Sequence, residues 1–296
     1  HPGGRSIVLG KVVIDCTGEG EVCVQAGAEY EIAPLEILEP STVAFTADGV
    51  DWKKVVDYMH AHIDDFLFNQ LHNPYSEWTE EKIKKRVMEI DDILEIGEVM
   101  GYLGLKRHAT WTGEWHNMSG VGFFLMPKGG RLLAHFQHSS QEDRCDCTNV
   151  RDITRVEVEC RRQNMMAWRF FKKYVPGFEN AYIVRTCPEA RIRETRRIMG
   201  DYKLTFEDIA EARKFDDVIG KSAFPTGAKH AVNGRALALE AMAVPKDLGS
   251  NDIPYRVLVV KGLENLMVAG KAVSADRASH QRFLQQTIVT GQAAGV

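Results

Sequence analysis

Two short apolar runs, one near each end of the chain, place the strongest constraint on its fold. Residues 11–15 are rich in β-branched side chains and lead into a glycine-containing turn at 17–21, and residues 265–269 lead into Gly270. Short apolar runs that end in turn residues are typical of buried strands. Glycines directly after a strand leave backbone N–H groups open to a ligand, because no Cβ stands in the way. The runs are compatible with dinucleotide binding. Tight turns in a packed α/β domain explain them equally well, and the G-x-G-x-x-G fingerprint is absent.

Between these runs the hydrophobic pattern predicts a mixed α+β insertion. Asp51 is a candidate N-cap, after which apolar residues recur at helical spacing. The glycine- and aromatic-rich stretch 101–137 is expected to form strands and turns. The expected helices span residues 51–71, 79–100 and 152–173, and a further strand spans residues 182–186.

The last third of the chain carries shorter signals. Thr205, with Asp208 three residues later, resembles a capping box at a helix start. Residues 256–260 and 265–270 are expected to be buried strands, and residues 275–286 a helix. Residues 291–295 are expected to open another helix with small side chains, which lets backbone amides approach a phosphate.

Composition narrows the class of protein. Of the 296 residues, 44% are hydrophobic and 26% are charged, as in ordinary globular proteins. The net charge of -4 gives no reason to expect nucleic acid or an anionic membrane as a partner. No apolar run approaches the roughly 18 residues of a membrane helix, and no signal peptide is visible. The six unevenly spaced cysteines argue against a disulfide scaffold, so we expect a cytoplasmic protein.

Five ordered segments of the chain carry a resemblance to a known family. Residues 13–28 resemble "VIDATGDGD…AGA", with Cys16 where that motif has Ala, and residues 193–205 resemble "RETRRIxGDYxLT". The remaining matches are residues 215–219, residues 253–256 ("IPYR") and residues 265–295 ("NLLVAGRxxSAD…R…TGQAAG"). In this order they resemble FAD-dependent oxidoreductases, in particular proteins similar to the A-type subunit of heterodisulfide reductase. Residues 45–145 contribute no motif.

The resemblance implies an α/β fold: the later part of a Rossmann-like FAD-binding domain with an inserted mixed α+β substrate domain. Residues 1–35 and 253–296 would belong to the FAD-binding domain and residues 36–252 to the substrate domain. Because the fingerprint is missing, the chain begins without Met and it stops where a helix is expected to start, we expect a fragment. A missing N-terminal segment or a partner chain would then supply the first G-x-G-x-x-G unit.

The same resemblance implies where FAD would lie. Thr17 and Gly18 would be near the phosphate and adenosine side, and Gly270 would be near the pyrophosphate. Ser274 belongs to the same motif and is expected to contribute to the cofactor site. The residues expected beside the isoalloxazine are Gly291, Gln292 and Ala293.

Arginines are the first candidates for catalytic roles. Arg193 and Arg197 lie four residues apart, on one face if this segment is helical. Such a pair can clamp a carboxylate substrate or stabilise negative charge as the flavin takes up hydride, and Arg256 offers the same chemistry. A solvated helix face or an ion-pair network is the alternative explanation.

His230 and Tyr255 complete the catalytic candidates. His230 follows Pro225 and Gly227 in an irregular stretch and could act as a general base, because imidazole titrates near neutral pH. A surface histidine explains it as well. Tyr255 has core packing as its alternative.

The cysteines do not form a recognisable metal motif. Cys145 and Cys147 lack the C-x-x-C spacing that zinc and iron–sulfur sites favour, and no second pair completes a set with Cys160 and Cys187. Isolated thiols are the better explanation, and no metal site is expected. An iron–sulfur cluster is suggested by the family resemblance alone.

Two functions follow from these observations. The first is an FAD-dependent oxidoreductase that passes hydride between a small organic substrate and flavin. The second is a non-catalytic or electron-transfer flavoprotein-like subunit of a larger redox complex, which the missing fingerprint and Cys16 would favour.

Overall fold

The computed structural model describes residues 7–67, 77–115, 121–136, 145–227 and 242–296. The α-helices are α1 Glu21–Gln25, α2 Trp52–Ala61, α3 Glu80–Val87, α4 Leu103–Trp111, α5 Val150–Tyr174, α6 Phe206–Ala210 and α7 Leu284–Ala294. The strands are β1 Val13–Asp15, β2 Tyr30–Ile32, β3 Phe45–Asp48, β4 Glu98–Met100, β5 Gly122–Lys128, β6 Arg131–Phe136, β7 Tyr182–Thr186, β8 Arg196–Ile198, β9 Val218–Ser222, β10 Thr226–Gly227, β11 Met242–Ala243, β12 Asn251–Pro254 and β13 Leu266–Val268. This is a mixed α/β composition.

The chain divides into two compact units. The described residues of the first unit come from His1–Ala33, Thr195–Lys229 and Ala238–Val296, and those of the second come from Pro34–Glu194. The first break lies close to the predicted boundary at 35/36. The chain returns to the first unit at Thr195, well before the predicted position 253, because β8 pairs antiparallel with β2. That these units are a cofactor domain and a substrate domain stays a prediction.

The first unit is built around parallel pairing of the two apolar runs. Strands β1 and β13 pair in register, with Val13 opposite Leu266 and Asp15 opposite Val268. Three antiparallel pairs complete its strands: β2 with β8, β9 with β12 and β10 with β11. Its buried core includes Ile198, Leu204, Ile253, Val257, Val268 and Val273. The side chains of β13 are buried in this core, as expected for a strand of its composition. The predicted burial of β1 is wrong for Val13, which is 45% exposed, and only Ile14 of that run packs against the core.

The second unit contains a five-stranded antiparallel sheet. Its strand order is β4-β5-β6-β3-β7. One face carries aromatic side chains, and the rings of Phe45 and Phe136 stack with centroids 4.4 Å apart. Phe170 and Phe171 of α5 pack into the same core. Burial of these large rings against the sheet supplies the apolar area that holds the unit together.

Several local predictions are confirmed. Asp51 caps α2 and accepts a hydrogen bond from Lys54 N at 3.3 Å. Thr205 and Asp208 form a complete capping box at the start of α6. Strand β7 has the predicted bounds, and α5 covers the predicted residues 152–173.

The predicted helix over residues 79–100 is too long. Thr79 caps α3 as a helix start, but α3 ends at Val87. The Asp92 carboxylate then accepts a hydrogen bond from Leu94 N at 2.9 Å, which starts a separate 3-10 turn. Gly97, with φ of 72°, follows and leads into β4. Aspartate binds nearby backbone N–H groups outside helices, so it competes with helix continuation here. The helix predicted over residues 51–71 also ends early, at Ala61.

Three predictions near the C-terminal end are wrong. Residues 256–260 are not a strand: a 3-10 turn covers Tyr255–Val257, and only isolated bridges follow. Residues 275–283 of the predicted helix are not helical, because the Asp276 carboxylate binds Phe206 N and Ser279 N at 2.8 Å each and holds a turn. Helix α7 begins at Leu284, so residues 291–295 end a helix instead of opening one.

No helix in the described ranges combines the length and apolar character needed to cross a membrane.

Candidate functional site

A cleft of about 350 Å³ opens in the first unit, next to the carboxyl ends of β1 and β13. The loops that follow these two parallel strands form much of its lining. In open α/β sheets, ligands bind at the carboxyl ends of the strands. The lining residues are Cys16, Gly18, Ala269, Gly270, Lys271, Arg282, Thr287 and Gly291.

Asp15, the last residue of β1, fixes the first loop. Its carboxylate is 1% exposed and accepts hydrogen bonds from Thr17 N at 2.9 Å, Thr17 Oγ1 at 2.7 Å and Cys23 N at 2.9 Å. Burial alone would raise the pKa of Asp15, but these hydrogen bonds outweigh it and hold the pKa below its usual value. The Thr17 hydroxyl in turn accepts from Glu21 N at 3.0 Å, at the start of α1. The side chains of Asp15 and Thr17 therefore shape the turn before α1.

Glycines make the turn conformations of both loops accessible. Gly18 and Gly270 each have φ of 85°, a region that side chains with a Cβ rarely adopt. A Cβ at Gly270 or at Gly291 would meet no atom within 4 Å, so both positions face open space. The Gly270 N–H donates to Thr290 Oγ1 at 3.0 Å. Gly270 thus contributes an open surface to the cleft, while its own N–H binds a protein group.

Glu19 lies at the centre of the polar contacts behind the first loop. Its carboxylate forms an ion pair with Lys271 Nζ and accepts a hydrogen bond from Thr195 Oγ1. Arg196 donates to the Glu19 carbonyl at 3.3 Å and to Glu21 Oε1 at 2.8 Å. The side chains of Glu19 and Lys271 are 16% and 15% exposed, so water screens their ion pair only in part. Glu19 therefore fixes the position of a cation in the cleft lining.

Some of the predicted cofactor residues line the cleft and the others do not. Gly18, Gly270 and Gly291 line the cleft. Thr17 holds the first loop, as described above. Ser274 is 1% exposed, and its Cβ packs so closely that a Cβ at Gly200 would lie 2.9 Å from it. The lining set does not contain Ser274, Gln292 or Ala293.

The cofactor residues predicted from the sequence did not include five of the lining residues: Cys16, Ala269, Lys271, Arg282 and Thr287. Two of them carry positive charge, and both had a sequence signal. Lys271 directly follows Gly270, and Arg282 matches the arginine of the last family motif. The pattern could not show that these positions share one cleft, because they lie in separate turns.

The catalytic candidates of the first unit are engaged with protein groups. Arg256 forms a two-point ion pair with Asp217, with Nε–Oδ2 2.9 Å and Nη2–Oδ1 3.1 Å. The Arg256 charge holds the pKa of Asp217 below its usual value, chiefly through these hydrogen bonds. The Tyr255 hydroxyl donates to Met267 Sδ at 3.6 Å. Arg197 is 4% exposed within β8, opposite Glu31.

Arg193 and Arg197 do not share a helical face. Arg197 is in a strand of the first unit, whereas Arg193 belongs to the second unit, where its Nη1 donates to the Pro40 carbonyl at 2.8 Å. The prediction that Arg193 and Arg197 share a face required a helix, and the backbone at Arg197 is a strand instead. His230 lies outside the described residues.

All six cysteines are free thiols. Cys145, Cys147 and Cys160 are buried in an apolar cluster of the second unit, and Cys187 packs against it. In the part of the chain that the structure describes, no group of three or more His, Cys, Asp or Glu side chains is arranged to hold a metal ion. The iron–sulfur cluster suggested by the resemblance therefore has no support among these residues.

Comparison with known proteins gives one finding. The family model described as "FAD dependent oxidoreductase" matches residues 1–296, the whole of the chain. A search of curated proteins and a search of solved structures each gave no significant match.

Proposed function

The chain belongs to the family of FAD dependent oxidoreductases, and from this premise we propose that the cleft beside β1 and β13 binds FAD. The cleft residues fit the phosphate-bearing part of such a cofactor. Gly270 and Gly291 leave room for a ligand, and Arg282 supplies positive charge for a pyrophosphate. Lys271 supplies a further ammonium donor, although its ion pair with Glu19 offsets part of its charge. The observation that carries the proposal is the meeting of two glycine loops and two cations at the ends of paired parallel strands.

The residues of this chain would bind and orient the cofactor. Bound FAD supplies the hydride chemistry, and the protein supplies position and charge. Glu19 fixes Lys271 through their ion pair, and Asp15 fixes the loop that carries Cys16 and Gly18. We propose that the reaction moves a hydride between a small organic substrate and the flavin. The family suggests this reaction, as does the finer resemblance to proteins similar to the A-type subunit of heterodisulfide reductase.

The proposed chemistry does not assign Arg256 or Tyr255 a role at the substrate. Arg256 would first have to leave Asp217, which binds it at two points. Catalytic roles for Arg193, Arg197 and His230 remain predictions. Turnover of flavin with small organic substrates would favour the enzyme, and flavin that is bound only with a partner chain would favour the subunit of a redox complex.

Lys271→Met tests the proposed cofactor site. We expect the dissociation constant for FAD to rise about tenfold, because a charge-assisted hydrogen bond to phosphate contributes about 1.5–3 kcal/mol and bulk water recovers part of it. The measurement is FAD fluorescence quenching or isothermal titration with the purified chain. Lys261→Met is the matched control, because Lys261 is an exposed lysine of the same unit outside the cleft lining. Equal FAD affinities of the two variants would refute this site, and so would absence of FAD binding by the parent chain both alone and with a partner chain.

A further inference from the structure

One face of the sheet in the second unit carries a row of paired side chains. Strand register places Thr46 of β3 opposite His135 of β6 and opposite Arg185 of β7. The register of β5 and β6 places Phe124 opposite His135. Directly paired residues project their side chains from the same face of a sheet. Glu98 of β4 is in turn paired with Phe124, so the row runs Glu98, Phe124, His135, Thr46, Arg185, on the face opposite to the Phe45 core.

The centre of the row is a buried polar pair. Thr46 is 2% exposed and His135 is 7% exposed, and Thr46 Oγ1 lies 3.2 Å from His135 Nδ1. When the hydroxyl donates to Nδ1, the imidazole proton is on Nε2. Nε2 has no hydrogen-bond partner among the residues that the structure describes. His135 thus offers one donor that no described protein group uses.

Two arginines flank this pair. Arg191 bridges to Thr42, the backbone N–H of each donating to the carbonyl of the other at 3.0 and 2.6 Å. The side chains of Arg185 and Arg191 are exposed and form no ion pair with any acid in the described ranges. Burial first, then the charges of Arg191 and Arg185, lower the pKa of His135.

Negative charge on the described part of this sheet does not balance these arginines. Asp48, the acid of β3, is bound by Arg131 Nη1 at 2.7 Å and by the Tyr182 hydroxyl at 3.3 Å. Its backbone neighbour Gly49 also donates to it at 2.7 Å. Glu98 lies at the other end of the row, with three strands between it and Arg185. Because Asp48 already has three donors, the guanidinium groups of Arg185 and Arg191 remain without an ion pair among the described residues, and the His135 imidazole adds a donor beside them.

We propose that this face of the second unit is a binding site for an organic carboxylate with an apolar body, held by Arg185, Arg191 and His135. A guanidinium fork matches the two oxygens of a carboxylate, and His135 Nε2–H supplies a further donor. Phosphate would satisfy the arginines equally well, but Phe124, with 38% of its surface exposed, offers apolar contact on the other side of His135 in the same row. All of these residues belong to the second unit, so the proposal does not rest on the FAD site.

Isothermal titration of the purified full chain tests the proposal with three probes: phenylacetate, acetate and inorganic phosphate. We expect saturable 1:1 binding of phenylacetate, with acetate at least tenfold weaker because it lacks an apolar body. The double variant Arg185→Gln/Arg191→Gln should weaken phenylacetate binding at least tenfold. Arg107→Gln, at an exposed arginine of α4 outside the row, should leave the affinity unchanged.

A loss of folding is separated from a loss of binding by the conservative variant. Arg185→Lys/Arg191→Lys keeps both charges without the fork, so its affinity should lie between those of the parent and the glutamine variant. The midpoint of thermal unfolding is recorded for every variant, and each affinity is compared at equal folded fraction. Absence of phenylacetate binding, equal binding by the parent and the glutamine variant, or binding of phosphate alone would overturn the proposal. Because the probe is phenylacetate and the varied residues belong to the second unit, failure of this proposal is distinguishable from failure of the FAD site.

Discussion

At the level of single residues, two carboxylates fix the loops of the cleft: Asp15, which is buried, and Glu19, which is partly exposed. Asp15 accepts three hydrogen bonds across eight residues of chain, and Glu19 joins the first loop to Thr195 and Lys271. A buried acceptor of this kind stabilises the fold only while every partner stays in place. These two side chains therefore connect the stability of the first unit to the shape of its cleft.

Asp15→Asn should lower the free energy of unfolding by about 2–3 kcal/mol at pH 7. The carboxylate accepts on both oxygens, whereas an asparagine side chain presents an NH₂ group to one set of donors, either those of Thr17 or the N–H of Cys23. Urea unfolding followed by circular dichroism measures the difference.

The free energies of unfolding of the parent and of Asp15→Asn should depend differently on pH in the acid range. Because the folded-state pKa of Asp15 lies below its unfolded value of 3.8, its contribution is present above that pH and is lost as pH falls through the lowered folded pKa. The stability gap between the parent and Asp15→Asn should therefore narrow below about pH 4. A gap that is equal at pH 7 and pH 3 would contradict this assignment.

Gly20 is required both for its positive φ and because a side chain at this position would collide with Ile198. Its φ is 67°, and a Cβ would lie 2.7 Å from Ile198 Cδ1. Gly20→Ala should therefore cost about 3 kcal/mol of unfolding free energy, from left-handed strain and overpacking together. Gly27, with φ of 92° and no atom within 4 Å of a Cβ, isolates the strain, and Gly27→Ala should cost about 1–2 kcal/mol.

A second substitution at Ile198 measures how much of the stability loss in Gly20→Ala comes from overpacking. Ile198→Val removes Cδ1 and should recover part of the loss in Gly20→Ala but none of the loss in Gly27→Ala. Chemical unfolding of the single and double variants gives the coupling. Equal costs of the two alanine variants would show that Ile198 plays no part.

At the scale of secondary-structure elements, the features predicted correctly from the sequence are helix starts that contacts between nearby residues fix. The Thr205–Asp208 box and the Asp51 cap are local, so spacing alone located both helix starts. Helix ends were predicted less well, because α3 stops where Asp92 binds a nearby backbone N–H. The turn at residues 275–286 depends on Asp276 binding Phe206 N, 70 residues away in sequence, which periodicity cannot show.

The capping box of α6 gives a test at this scale. Thr205→Ala should reduce the free energy of unfolding by about 1 kcal/mol, the usual effect of losing an N-cap. Asp208→Ala should cost more, about 3 kcal/mol, because it leaves three donors without an acceptor. Asp208 is 1% exposed and binds Thr205 N at 3.0 Å, the Tyr202 hydroxyl at 2.7 Å and Arg213 at 2.7 Å. A larger loss for Thr205→Ala, measured by urea unfolding, would contradict this order.

At the scale of the molecule, three separated stretches of chain build the first unit and its cleft. The sequence predicted its flanking stretches and three of the eight lining residues, Gly18, Gly270 and Gly291. It did not predict that the chain returns at Thr195, because β8 is a short strand whose partner β2 lies more than 160 residues earlier. The ordered motifs lie in the first unit except for residues 193 and 194, whereas the family model matches the whole chain.

Cysteine reactivity gives a view of the cleft that does not depend on turnover. Cys16 is exposed in the cleft lining, and Cys187 is half-buried in the second unit. Cys23 is buried, and burial together with the Asp15 charge raises the pKa of its thiol to about 12. Reactivity follows thiolate character and exposure, so Cys16 should react first with a thiol reagent.

The most direct test of the FAD site is therefore the rate of Cys16 modification, by mass spectrometry, with and without saturating FAD. We expect FAD to slow modification of Cys16 at least fivefold (a threshold of about 1 kcal/mol of protection) and to leave the rate at Cys187 unchanged. An unchanged rate at Cys16 while FAD is bound would contradict the assignment of this cleft as the cofactor site.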